Sequence, residues 1–70
     1  MTNTGNWVKG IHDYHKDLDY MVNNKVLAFV RPSGAQWRVY EILEHNASLQ
    51  GSYDDLETAK AVAMALVAMR

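Results

Sequence analysis

"KVLAFVRPSGAQWRVYEIL", Lys25 to Leu43, is the stretch on which the fold turns. β-Branched and aromatic residues crowd both of its halves, the chemistry that suits a pleated, half-buried surface. Between the halves, "PSGA" supplies Pro32 to stop pairing and Gly34 to turn the chain. The pattern predicts a β-hairpin of Lys25–Arg31 and Gln36–Leu43. Pairing Val30 with Trp37 would set Val26, Ala28, Val30, Trp37 and Val39 on one face. Leu27, Phe29, Arg31, Arg38, Tyr40 and Ile42 would occupy the other. A slip of one residue regroups these sets, because side chains alternate between faces. In either register both faces carry apolar side chains, and one helix can cover only one of them.

Working outward, "EHNA" predicts a second turn around Asn46, and "SLQGSY" a short third strand in which Gly51 marks a bulge or a close backbone approach. Ser52 and Asp55 have the spacing of a capping box with Asp in place of Glu. Asp54, Asp55 and Glu57 place negative charge at the positive end of a helix dipole. A helix over about Asp54 to Met69 follows, rich in alanine and closed by Arg70. Upstream, Ile11, Tyr14, Leu18, Met21 and Val22 fall at helical spacing. The same segment also reads as a strand, Leu18 to Val22, turned by Asn23 and Asn24 into the hairpin. Met1 to Asn6 is polar and reads as a mobile end. The fold class expected is α+β: a three- or four-stranded antiparallel meander packed against a C-terminal α-helix, with a short N-terminal helix as the open alternative.

The predicted helix is apolar nearly all round. Leu56, Ala59, Ala63, Leu66 and Val67 form the stripe that can lie on a sheet, flanked by Val62 and Met69. Ala61, Met64, Ala65 and Ala68 lie on the far side and are the candidate residues for self-association. A helix apolar all round is ordinarily buried all round. The available covers are the segment Trp7 to Val22, or a second chain; alternatively the alanines simply tolerate water.

Seventy residues make one domain, 1–70, since a chain of this size buries only about 60% of its unfolded surface. There is no cysteine, which excludes disulfides and thiolate chemistry and favours an intracellular protein. "MTNTGNWVKG" lacks the apolar run of a signal peptide, and the apolar tail is shorter than a membrane span. A soluble, cytoplasmic protein is expected. The formal net charge of −1 does not draw the whole molecule to nucleic acid.

Charge is nonetheless segregated. Lys25, Arg31 and Arg38 form a basic block, followed by the acidic residues Glu41, Glu44, Asp54, Asp55 and Glu57. "HDYH" puts His12 and His15 one turn apart in a helix, near Asp13, Asp17 and Asp19, but no third histidine follows at a zinc-binding spacing. Nothing resembling a nucleophile, a phosphate loop or an oxyanion nest accompanies them. No metal, no cofactor and no enzymatic activity is expected.

Phe29, Arg31, Arg38 and Tyr40 can share a sheet face, where aromatic rings and guanidinium groups stack bases and hold phosphates. Three cations are few for a polyanion, and Trp, Tyr and Arg are also the residues enriched at the centres of protein interfaces. The candidate partner-binding set is therefore Arg31, Trp37, Arg38 and Tyr40. The acidic set is the alternative if the target is a basic nucleic-acid channel, where carboxylates would stand in for phosphates.

The run "VLAFVRPSGAQWRVYEI" from Val26, then Gly51, then "YDDLETAKAV" resembles small proteins encoded by phages and prophages, over about half the chain. The resemblance implies a βββα architecture. It also implies a context rich in inhibitors of host systems, including anti-CRISPR and other anti-defence proteins. The function expected is a non-enzymatic protein-binding module, a phage-type inhibitor that occludes a surface of a host protein complex. A nucleic-acid-binding module and a structural homodimer are the alternatives.

Overall fold

Asn23 and Asn24 both adopt positive φ, 53° and 64°, the backbone that a two-residue hairpin turn demands and that asparagine tolerates. In the computed structural model, which describes residues 5–10, 17–44 and 46–69, this turn joins two strands. They are β2 (Leu18–Val22) and β3 (Lys25–Ser33). Gly34, at φ 61°, turns β3 into β4 (Gln36–Leu43). Glu44, at φ 56°, begins the turn into β5 (Asn46–Tyr53). With β1 (Asn6–Lys9) the strands form one antiparallel sheet in the order β1-β2-β3-β4-β5, followed by α1 (Leu56–Ala68).

The expected α+β meander is present, with five strands in place of three or four. The added strand is β1, which reaches back to Asn6 in what reads as a polar end. Four residues give no alternation to detect, and the strand is anchored from outside, Trp7 lying against Tyr20 with ring centroids 5.0 Å apart. Of the two readings of Ile11 to Val22, the strand holds for Leu18–Val22. Residues 11–16, with His12, Asp13 and His15, lie outside the described residues, as do residues 1–4, His45 and Arg70.

The sequence leaves the hairpin register open; Val30 faces Val39 and Trp37 faces Pro32, two residues from the Val30–Trp37 pairing. A shift of two preserves the faces, so most of the predicted grouping survives. Pro32 does not end the strand: β2 begins at Leu18 opposite Val30, so among the described residues β3 has a neighbour on one side only at that point. A bulge between β2 and β3 regroups two residues. Tyr20 faces Ala28 but Met21 faces Val26, so Leu27 is the extra residue. Val26 is thereby turned to the face away from the helix, and Leu27 packs against the core. A second bulge falls beside Gly51, where Val39 faces Gly51 and Tyr40 faces Leu49. The Tyr53 ring covers this glycine so closely that a Cβ there would meet the hydroxyl at 2.9 Å.

Ala59, Ala63 and Val67, spaced four apart on α1, are buried against Tyr20, Ala28, Val30 and Val39 of the sheet. Leu18, Val22, Trp37, Tyr53, Leu56, Val62 and Leu66 close the rim of this core. The helix cap is Asp55 and not Ser52, which belongs to β5. The Asp55 carboxylate accepts from the Thr58 backbone N–H at 3.0 Å and from the Thr58 hydroxyl at 3.2 Å. Of the alternatives open for the outer side of the helix, cover by Trp7 to Val22 does not occur among the described residues. β1 and β2 extend the sheet edgewise; Tyr20 joins the core beneath the helix, and the Lys60 ammonium lies 5.6 Å from the Trp7 ring.

Two consequences are measurable by chemical denaturation. Ala63→Leu forces methylenes into a contact with no space and lowers stability by about 1–3 kcal/mol. Among the described residues the buried Tyr20 hydroxyl has no hydrogen-bond partner, so Tyr20→Phe raises stability by about 1 kcal/mol. A loss on removing that hydroxyl would show that the group is satisfied in solution.

Candidate protein-docking face

The face of the sheet opposite α1 is built from two cross-strand rows. In the first, Val8 faces Asp19, Asp19 faces Phe29, Phe29 faces Tyr40 and Tyr40 faces Leu49, a line that crosses all five strands. In the second, Arg31 faces Arg38 and Arg38 faces Ser52, while Asp17, just before β2, lies beside Arg31. Directly opposed like charges destabilise a sheet. Here Asp17 relieves the opposition: its carboxylate accepts from Arg31 Nε at 3.2 Å to each oxygen and from Nη2 at 3.1 Å.

The guanidinium is held in place a second way. Its carbon lies 5.3 Å from the Phe29 ring centroid and 5.4 Å from that of Tyr40, and the two rings stack on each other at 4.8 Å with an interplanar angle of 13°. Each cation–π contact contributes about 0.5–1 kcal/mol, and the ring pair a similar amount. Asp17 is nearly buried and Arg31 is one-third exposed. The result is a rigid, charge-compensated centre. Around it stand exposed Arg38, half-buried Tyr40 and Leu49, the last 53% exposed.

Of the four candidate partner-binding residues, Arg31, Arg38 and Tyr40 share this face. Trp37 does not: it lies on the helix side and packs against the core, as the alternation of β4 requires. The acidic set does not form one patch. Glu41 is buried, and the register turns it to the helix side with Val39. Asp54 accepts from Gln36 Nε2 at 2.9 Å, Asp55 caps α1, and Glu57 lies 4.0 Å from Lys60. Glu44 stands apart in the β4–β5 turn. Three of the five thus serve local structure, which their clustering in sequence does not reveal. Ala61, Met64, Ala65 and Ala68 are all exposed on the outer side of α1, as expected.

Sequence reasoning did not pair Asp17 with Arg31. The two are fourteen positions apart, and no local pattern joins them. Leu49 carried a signal, since it is the large apolar residue of an otherwise polar strand. No group of three metal-binding side chains occurs among the described residues, and none of their helices is long and apolar enough to cross a membrane. Comparison of the chain with protein families, curated proteins and solved structures returns no match.

The two arginines should separate in a stability measurement. Arg31→Ala strands the nearly buried Asp17 carboxylate and lowers unfolding free energy by about 1–3 kcal/mol, below the range for a fully buried pair because Arg31 is partly hydrated. Arg38→Ala stays within about 0.5 kcal/mol of the parent. Equal losses in urea titrations would remove the Asp17 clamp from the account of this face.

Proposed function

We propose that the chain is a non-enzymatic protein-binding module that docks a larger protein on the helix-free face of its sheet, with Arg38, Tyr40 and Leu49 as the main contacts. The observation that carries this reading is the neutralisation of Arg31 by Asp17. It leaves Arg38, which makes no ion pair among the described residues, as the available guanidinium beside the aromatic row. Among the described residues of this face that leaves one cation outside an ion pair, which gives a nucleic acid little counterion release to gain. A tyrosine, an arginine and an exposed leucine on a rigid base are instead the composition of a protein interface centre. The rigidity adds to this, because a preorganised surface loses little side-chain entropy on binding.

The more specific role, a phage-type inhibitor that occludes a functional surface of a host complex, is supported by the resemblance of Val26–Ile42 and Tyr53–Val62 to small phage proteins. Such an inhibitor needs no catalytic group. It needs a stable shape that outcompetes the normal ligand of its target.

The test uses the full chain as bait in host lysate beside the Arg38→Ala/Tyr40→Ala variant, with the captured protein then purified and titrated. A partner whose affinity falls by at least about thirty-fold for the variant is the expected result. Labelled single- and double-stranded DNA is titrated in parallel at low salt. DNA binding that disappears with Arg38→Ala would overturn the protein-docking reading in favour of a nucleic-acid module.

A further inference from the structure

β5 is the last strand of the sheet, so among the described residues the backbone N–H and C=O groups along its outer side have no neighbouring strand. Natural edge strands are ordinarily short, or carry charge or proline, because an open edge is a template for pairing. The two edges of this sheet differ in that respect. β1 has four residues, one of them the exposed Lys9. β5 has eight, "NASLQGSY", with neither charge nor proline. Its irregularity is the bulge near Gly51, which leaves Asn46 to Leu49 in unbroken register with β4. Those four residues are a straight pairing edge.

The helix does not shield this edge. α1 lies on the face of the sheet, its buried residues seated among Val30 and Val39. Lys60 reaches over Trp7 of β1, so the charged flank of the helix is turned toward the β1 side. At 100° per residue, Val62 and Leu66 fall on the opposite flank. The flank of the helix on the β5 side is therefore the apolar one, and among the described residues charge on that side is confined to the ends of β5, at Glu44 and at Asp54 and Asp55.

We propose that β5 pairs with β5 of a second copy, antiparallel about a two-fold axis at Ser48, so that two five-stranded sheets become one of ten strands. The occupant is set by self-complementarity. A dyad sets the strand against itself, and a strand with no charge meets its copy without opposed charges. Centred on Ser48, Ala47 of each copy faces Leu49 of the other on the helix-free side. This covers the exposed end of the Phe29–Tyr40–Leu49 row and continues that row into the second copy. Four to five paired residues make a small interface, which belongs with weak, concentration-dependent dimers.

Sedimentation equilibrium from micromolar to millimolar concentration, with amide hydrogen exchange at both ends of that range, tests this. The expected result is a mass rising from monomer to dimer, with alternate amides of Asn46 to Leu49 exchanging roughly ten-fold more slowly in the concentrated sample. Ala47→Lys/Leu49→Lys opposes ammonium groups across the dyad and leaves a monomer at every concentration. Both sites are exposed, and circular dichroism verifies that the variant folds. Three results would each overturn the proposal. One is a monomer of constant mass. Another is a dimer whose β5 amides exchange as fast as those of the monomer. The third is a dimer that persists in the lysine variant but dissolves in Met64→Glu, which would assign association to the outer face of α1. Because the lysine variant also replaces Leu49 of the docking face, the protein-docking reading is judged separately on Arg38→Ala/Tyr40→Ala, in which β5 is unchanged.

Discussion

Ala59 and Ala63 rest, without measurable exposure, against Val30 and Val39, and the rest of the molecule is arranged around that contact. Two small residues spaced four apart let the helix approach the sheet closely, while Val67 and the larger side chains of the rim fill the space beyond. A helix of thirteen residues has no second contact of this kind to make. Its outer side is exposed, and it does not reach the other face of the five-stranded sheet.

The helix-free face solves its own problem without a helix. Phe29 is nearly buried there, and what encloses it includes a stacked tyrosine and a guanidinium fixed by a carboxylate. Arg31 thus acts as a structural lid, its charge used inside the fold. This shifts the chemistry of the face from cationic to amphipathic.

Exposed apolar area, which also includes Val8 and Leu43, differs in character between α1 and β5. On α1 it is made of alanines and Met64, dispersed small surfaces that water tolerates. At β5 it coincides with unpaired backbone groups, and directional hydrogen bonds with an apolar side chain beside them define a partner geometry that a smooth alanine surface does not. The edge is accordingly the more specific of the two.

Local chemistry determined a good deal by itself. The alternation and turn residues of Lys25–Leu43 specify a hairpin, and the acidic entry and alanine content after Tyr53 specify a helix. The stripe Leu56, Ala59, Ala63, Leu66 and Val67 specifies which side of it is inward, because each depends on neighbours within a few residues. The candidates Arg31, Arg38 and Tyr40 were assigned to one face on the same grounds. Tertiary structure alone decided the rest. Whether Leu18–Val22 became helix or strand depended on β3 lying beside it. Whether Trp7–Val8 became a strand at all depended on Tyr20, and which of Val26 and Leu27 turned inward depended on a bulge between two strands. The partnership of Asp17 with Arg31 depended on three strands meeting, a coincidence in space that leaves no periodic trace along the chain.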